Sequence, residues 1–416
     1  MSRIALLCSE PLRERMAGIG IRYLELSRRL PAAGIETVVV SAGDPAHVPT
    51  TPAEVRAFER GRLAEILDDC DGVVAQGQLA NDLVLECPAL PTAIDLYDPW
   101  LVENLHYTSS LGFDPWRNDH ATWNLQLARG DLFLCSSDEQ RLFYLGFLAA
   151  LGRINPENIA GDPDLDRLTR VVPFGVPDAL PAHQPLLAPR REGEVRLFFG
   201  GIYDWYDPHT LLDALARLEE LPWSLVFVRN PNPGATPQRL LGQAEHFCRK
   251  RGWWGDRVQL IDWVAAERRF DLLRDVDLLV APHHQSLETR LSLRTRFLDA
   301  FALGVPVVVS SGGAIASLVA ASGAGWVAPP GDAPALAAVL RHALTDPAAR
   351  HAAGSAGLEL ARRFAWDHVL APLLEFCRAP WRDPSKEHFG SRLPTNAPRD
   401  PLGFRVRRKL RQWTAR

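Results

Sequence analysis

Three arginines crowd the start of one helix in this sequence. The stretch Ala281–Pro306 reads as a strand ending near Ala281, a loop, and a helix that begins near Ser292. That helix buries Phe297, Ala300 and Phe301 and stops at Gly304 and Pro306. Ser292 is the expected N-cap. Arg290, Arg294 and Arg296 then lie at the positive end of the helix dipole, where cations are mildly destabilising without an anion beside them. A structural arrangement needs solvent or carboxylates to absorb that charge. A bound diphosphate accounts for it directly, because guanidinium groups grip phosphate oxygens in pairs. The same stretch carries the carboxylates Glu288 and Asp299.

A second constellation follows the first strand, at Met16-Ala-Gly18-Ile-Gly20-Ile-Arg22. Glycines between a strand and a helix let backbone amides approach an anion, although a plain turn explains them equally well. Position 23 is Tyr, so the dinucleotide fingerprint G-x-G-x-x-G is incomplete, and no G-K-[ST] marks a P-loop. Arg22 in the first helical turn favours a nearby anion. A third candidate is Asp98, with Asp95, at the end of the strand Thr92–Leu96; a turn role for either Asp is the plainer reading. Asp275-Val-Asp277 fits the D-x-D of metal-dependent sugar transferases but reads better as a helix end and turn. His283-His284 lacks further ligands for a metal, so none is expected. Trp263, just past a strand end, is placed either for the core or to flank a nucleotide base.

The elements that must position these residues form two alternating series. Ile4–Leu7, Thr37–Val40, Gly72–Ala75, Thr92–Leu96, Leu132–Ser136 and Arg170–Pro173 are short apolar runs of the kind buried on both faces of a parallel sheet. The helix after the first strand sets Tyr23, Leu26 and Leu30 on its apolar face, with Arg22 elsewhere. Asp178–Gly193, rich in proline and charge, reads as a linker. A second series follows: Val195–Phe199, Ser224–Val228, Val258–Ile261, Leu278–Ala281, Val305–Ser310 and Gly325–Val327. The expected organisation is a Rossmann-like domain over 1–180, a linker at 181–193 and a second such domain over 194–365. Residues 366–380 form one amphipathic helix packing back on the first domain, and 381–416 form a polar, then basic tail. Two doubly wound α/β halves would enclose a cleft at their strand carboxyl ends.

Composition narrows the partners. The 416 residues are 47% hydrophobic with a formal net charge of -4, which argues against disorder and against a nucleic-acid partner. Of 46 basic residues only Lys250, Lys386 and Lys409 are lysines, so phosphate recognition must come from arginine. The six cysteines show no metal or redox spacing and read as reduced core residues of a cytoplasmic protein. No stretch approaches the ~18 apolar residues of a spanning helix. The basic cluster Arg405–Arg411 with Trp413 is either a solvated tail or a peripheral contact with an anionic inner membrane face.

Asp299-Ala-Phe-Ala-Leu-Gly304-Val-Pro306 resembles the second half of the carboxylate motif in retaining GT-B glycosyltransferases of family 4, with Asp in place of Glu. Glu288 stands eleven positions before Asp299, where that motif has eight. Gly18-Ile-Gly20-Ile-Arg22, Val172-Pro-Phe-Gly-Val-Pro177 and Pro329-Pro-Gly331-Asp332 extend the resemblance over about residues 1–380. It implies a GT-B fold and retaining transfer from a nucleotide diphosphate sugar to a saccharide or lipid-linked acceptor, as in surface polysaccharide or glycolipid synthesis, without metal or other cofactor. It also implies that Glu288 holds donor sugar hydroxyls, Asp299 the ribose, and Gly20 with Gly18 the diphosphate and sugar; Asp98 is the acceptor-side candidate. The family places an Arg and a Lys after the first strand of the second domain. Here Gly200-Gly201-Ile-Tyr203-Asp204-Trp-Tyr-Asp207-Pro208 has neither. The expectation is therefore that Arg294 and Arg296, with Arg229 in reserve, neutralise the diphosphate beside Gly201. A sugar-nucleotide epimerase of the same architecture and a non-catalytic sugar-nucleotide binder are the other readings.

Overall fold

Seven strands build the first sheet: β1 (Arg3–Cys8), β2 (Glu36–Ser41), β3 (Glu54–Ala57), β4 (Gly72–Gln76), β5 (Thr92–Asp95), β6 (Leu132–Cys135) and β7 (Thr169–Val171). Six build the second: β8 (Val195–Gly201), β9 (Trp223–Val228), β10 (Val258–Ile261), β11 (Leu278–Val280), β12 (Val307–Ser310) and β13 (Gly325–Ala328). Their spatial orders are β3-β2-β1-β4-β5-β6-β7 and β10-β9-β8-β11-β12-β13. Each is a doubly wound order in which the strand sequence reverses beside the first strand of its half. Neighbouring strands pair in parallel throughout. Parallel strands covered on both faces must be apolar, and β1, β4, β6, β8, β9 and β12 are buried along almost their whole length. This computed structural model describes residues 2–230, 239–389, 402, 403, 405–407 and 410.

β3 was not anticipated. It is an edge strand, Glu-Val-Arg-Ala, that carries no apolar run; Arg56 on it is held by Glu54 and by Asp69 instead. The chain divides into two units, one of residues 1–104, 111–174 and 367–401, the other of 105–110, 175–366 and 402–416. The crossing therefore falls at Phe174/Gly175, ahead of the expected linker. Residues 181–193 are no free linker but lie along the second unit. His183 Nε2 is 2.9 Å from Asp275 Oδ1, and the Leu186 and Leu187 amides donate to Asp275 Oδ2 at 2.6 and 2.8 Å. Asp277 accepts from the Arg196 amide at 2.8 Å and pairs with Arg190. The D-x-D carboxylates thus fasten backbone and arginine.

The expected single helix at the end of the second series is two, Trp366–Val369 and Ala371–Arg378. Pro372 has no amide to continue the ladder, and the break falls just before it. Val369, Leu373 and Phe376 are buried as the apolar spacing demanded. The tail begins differently from a polar, solvated segment. Asp383, Ser385 and Lys386 are buried: Asp383 Oδ2 takes Arg153 Nη2 at 2.6 Å, and Lys386 Nζ is 2.6 Å from Asp131 Oδ1. Arg153 and Asp131 sit inside the first unit, and a buried charge requires a partner, which this segment supplies. Arg408, Lys409, Arg411 and Trp413 of the basic cluster lie outside the described residues.

Candidate functional site

In a doubly wound sheet the order reverses between two neighbouring strands, and their loops diverge to leave room at the carboxyl edge. In the second unit those strands are β8 and β11. β8 ends in Gly200-Gly201, with Gly200 at φ +91°, a left-handed conformation that suits only glycine. A Cβ there would stand 2.4 Å from Arg296 Nη1. The turn is tight because a guanidinium lies directly under it: Arg296 Nη1 donates to the Phe199 and Gly201 carbonyls at 2.6 and 3.5 Å, and its Cζ lies 4.7 Å from the centre of the Tyr206 ring.

Arg294 shares the same ring, with Cζ at 5.2 Å, but points at a carboxylate. Its Nη2 donates to Glu288 Oε1 and Oε2 at 2.7 and 2.5 Å, while Ser292 Oγ donates to Oε1 at 2.7 Å. Glu288 has no exposed side-chain surface. It was expected to hold sugar hydroxyls; instead its oxygens are spent inside the loop, where they fix Arg294. The helix start is also revised. Ser286 caps Leu287–Leu291, Ser292 follows that helix as its C-cap, and the next helix runs Thr295–Ala302 with Arg294 at its N-cap.

Above the arginines, the loop that the resemblance would fill with cations is aromatic. Tyr203 and Trp205 stack at 4.9 Å with an interplanar angle of 6°, and Tyr206 sits 4.8 Å from His283. The Asp207 amide donates to Pro282 O at 2.9 Å and the His284 amide to Trp205 O at 3.2 Å, tying the β8 loop to the β11 loop. Gly201 lies beside Trp263 and Tyr203, which a Cβ there would meet at an ordinary contact distance of 3.4 Å. Gly201, Trp263, Ser292, Arg294, Arg296 and Glu288 therefore share one neighbourhood. Arg229 follows β9 at the same edge, exposed and 3.3 Å from Asp262.

Asp299 is buried on the Thr295–Ala302 helix, with Oδ2 3.2 Å from Arg269 Nε. The expectation for Arg22 is corrected. Neither it nor Asp95 has exposed side-chain surface; Arg22 Nε is 2.7 Å from Asp95 Oδ2, and the guanidinium also donates to the Val172 and Pro173 carbonyls at 2.9 Å. An internal carboxylate supplies the anion that its place on the helix called for. Gly18 opens the first-unit helix and Gly20 donates its amide to Glu10 Oε2 at 2.7 Å. Asp98 is half-buried after β5 in the first unit.

Three groups were missed. His106 and Tyr107 cluster with the second unit, their rings 6.2 and 5.9 Å from Trp205. Burial lowers the His106 pKa below the ordinary histidine value against the pull of Glu288 and Asp204. Asp204 has a raised pKa, again through burial. No local pattern marks either residue, since both acquire their setting from distant chain.

Residues 193–346 match the family model described as Glycosyl transferases group 1. Sucrose-phosphate synthase from Thermosynechococcus elongatus superposes with a TM-score of 0.66 at 17% identity, covering 91% of this chain and 98% of that one. HepE of Anabaena, solved in complex with UDP and glucose, gives 0.65 at 16% identity over 91% and 100%. The fold is GT-B. Two D-inositol 3-phosphate glycosyltransferases, from Xylanimonas cellulosilytica and Kineococcus radiotolerans, are 28% and 29% identical over 54% and 52% of this GT-B chain. The matches span about half of those relatives' length, 51% and 53%.

One prediction arises from the GT-B chain's second sheet. His283 is 3% exposed, and burial, then Arg294, Arg296 and His284 hold its pKa well below the ordinary histidine value. The folded state excludes a proton that the unfolded chain accepts near pH ~6.5, so stability falls as pH drops below that value toward the folded pKa. His283→Gln should flatten this loss, by at most ~1.4 kcal/mol per pH unit. Urea midpoints at pH 7.5, 6.5 and 5.5 check it; equal slopes in both proteins would refute it.

Proposed function

We propose that this chain is a retaining glycosyltransferase that moves a sugar from a nucleotide diphosphate sugar to a saccharide or lipid-linked acceptor in surface polysaccharide or glycolipid synthesis. The observation that carries the reading is the placement of Arg296 beneath the glycine turn at the reversal point of the second sheet, within the residues that match the group 1 family. Relatives named as glycosyltransferases and the nucleotide sugar ligand of HepE support it. Among the described residues both hydrogen bonds of Arg296 come from Nη1. A guanidinium has five donors, so Nε and Nη2 are suited to a pair of phosphate oxygens.

In the transfer, the bond from the anomeric carbon to the phosphate oxygen breaks and the diphosphate leaves with the electron pair. Arg296 stabilises the charge that develops on it. The acceptor hydroxyl attacks the same face, and its proton passes to the departing phosphate oxygen, so configuration is retained. Trp263, beside Gly201, offers an aromatic face for the base. The test is a thermal-shift series with UDP, GDP, ADP and their glucose and mannose conjugates. A cognate diphosphate at about 100 times its Kd should stabilise the fold by about 2.7 kcal/mol. Silence across the whole series would sink the donor-site assignment.

A further inference from the structure

The first-unit helix Gly18–Ala32 begins in a way that departs from a phosphate-binding loop. Its N-cap is Ala17, which has no side chain to cap with, and its first turn contains no acid. The orphan amides of a helix start still need acceptors. Glu10, from the loop after β1, serves two of them: the Ala17 amide donates to Oε1 at 2.6 Å and the Gly20 amide to Oε2 at 2.7 Å. The loop is anchored to keep it there, with Leu12 and Met16 buried and Cys8 Sγ donating to Glu10 O at 3.1 Å. Gly20 has to be glycine for this packing, because a Cβ would stand 2.8 Å from Met16 Sδ and 3.1 Å from Glu10 Oε2. The glycine signature is therefore explained by an internal contact.

A carboxylate with each oxygen on a helix-terminal amide occupies the geometry in which phosphate oxygens bind at such a terminus. We infer that Glu10 is a resident anion that closes the first-unit helix terminus to phosphate and leaves diphosphate recognition to the arginines of the second unit. The inference rests on the donor-site reading above for its second half only. It also accounts for a loop whose glycines match the family pattern while the Gly20 amide is already engaged.

The probe is inorganic pyrophosphate, titrated calorimetrically at low salt into four full-length proteins: wild type, R296A, E10A/R296A and E10Q/R296A. R296A should weaken pyrophosphate binding relative to wild type, and E10A/R296A should regain about tenfold or more through the freed amides. E10Q/R296A keeps the side-chain shape without its charge and should regain a smaller part; it carries the test if the alanine variant does not fold. A purely structural cap would lower the melting temperature and leave pyrophosphate affinity within about twofold of R296A, which overturns the inference. Weaker binding on removal of Glu10 would overturn it as well. The donor-site reading fails separately, if wild type and R296A bind pyrophosphate alike.

Discussion

Replacing Arg22 by methionine is expected to cost about 3–5 kcal/mol of folding stability, because it strands the Asp95 carboxylate in the core of the first unit. Both side chains are fully buried, with the guanidinium spanning Asp95 Oδ2 at 2.7 Å, Oδ1 at 3.3 Å and two backbone carbonyls. Its Cζ also lies 5.1 Å from the centre of the Tyr97 ring. The double replacement R22M/D95L should recover most of the loss, since apolar substitution of a whole buried pair is often close to neutral. Urea unfolding of the three variants measures the effect. At a temperature where R22M stays folded, its affinity for a diphosphate should match wild type. A large drop in that affinity with stability intact would restore Arg22 to the donor site.

The second large effect separates two arginines that look equivalent in the sequence. R296A should weaken binding of the cognate nucleoside diphosphate about 10- to 100-fold, the equivalent of one charge-assisted hydrogen bond at ~1.5–3 kcal/mol. R294A should act instead on stability, by about 3–5 kcal/mol, because it leaves Glu288 as an unpaired charge with no exposed surface. R294A/E288A should be less destabilised than the single variant, which a double-mutant cycle reads directly. Calorimetric titration with the diphosphate and urea unfolding of each variant decide the matter. If R296A binds like wild type, phosphate recognition at the β8 turn is wrong.

The same contrast shows why sequence reading reached the elements and stopped short of the pairs. A buried parallel strand has to be a short apolar run, so Ile4–Leu7 or Ser224–Val228 announces itself, and both sheets follow from that alternation. β3 escaped because an edge strand can be polar, and Arg56, Glu54 and Asp69 stabilise it with charge. The linker escaped because prolines and charges look the same on a free tether and on a strap held by Asp271 and Asp275. His106 had no signal in its own neighbourhood, and its lowered pKa depends on groups far along the chain.

From its sequence alone this protein has two doubly wound halves, a scarcity of lysine that leaves phosphate recognition to arginine, and a concentration of arginine after the fourth strand of the second half. Those properties are local or compositional, and hydrophobic burial enforces them wherever the chain folds. The tertiary structure decided which arginine meets which anion. Arg22 went to Asp95 and Arg294 to Glu288, Glu10 took the helix terminus, and Arg296 alone of the expected group came to rest under the glycine turn. Burial makes an unpaired charge far costlier than an exposed one, so each partner is selected by three-dimensional proximity, whether 73 residues away as for Arg22 and Asp95 or six as for Arg294 and Glu288, and sequence spacing does not say which.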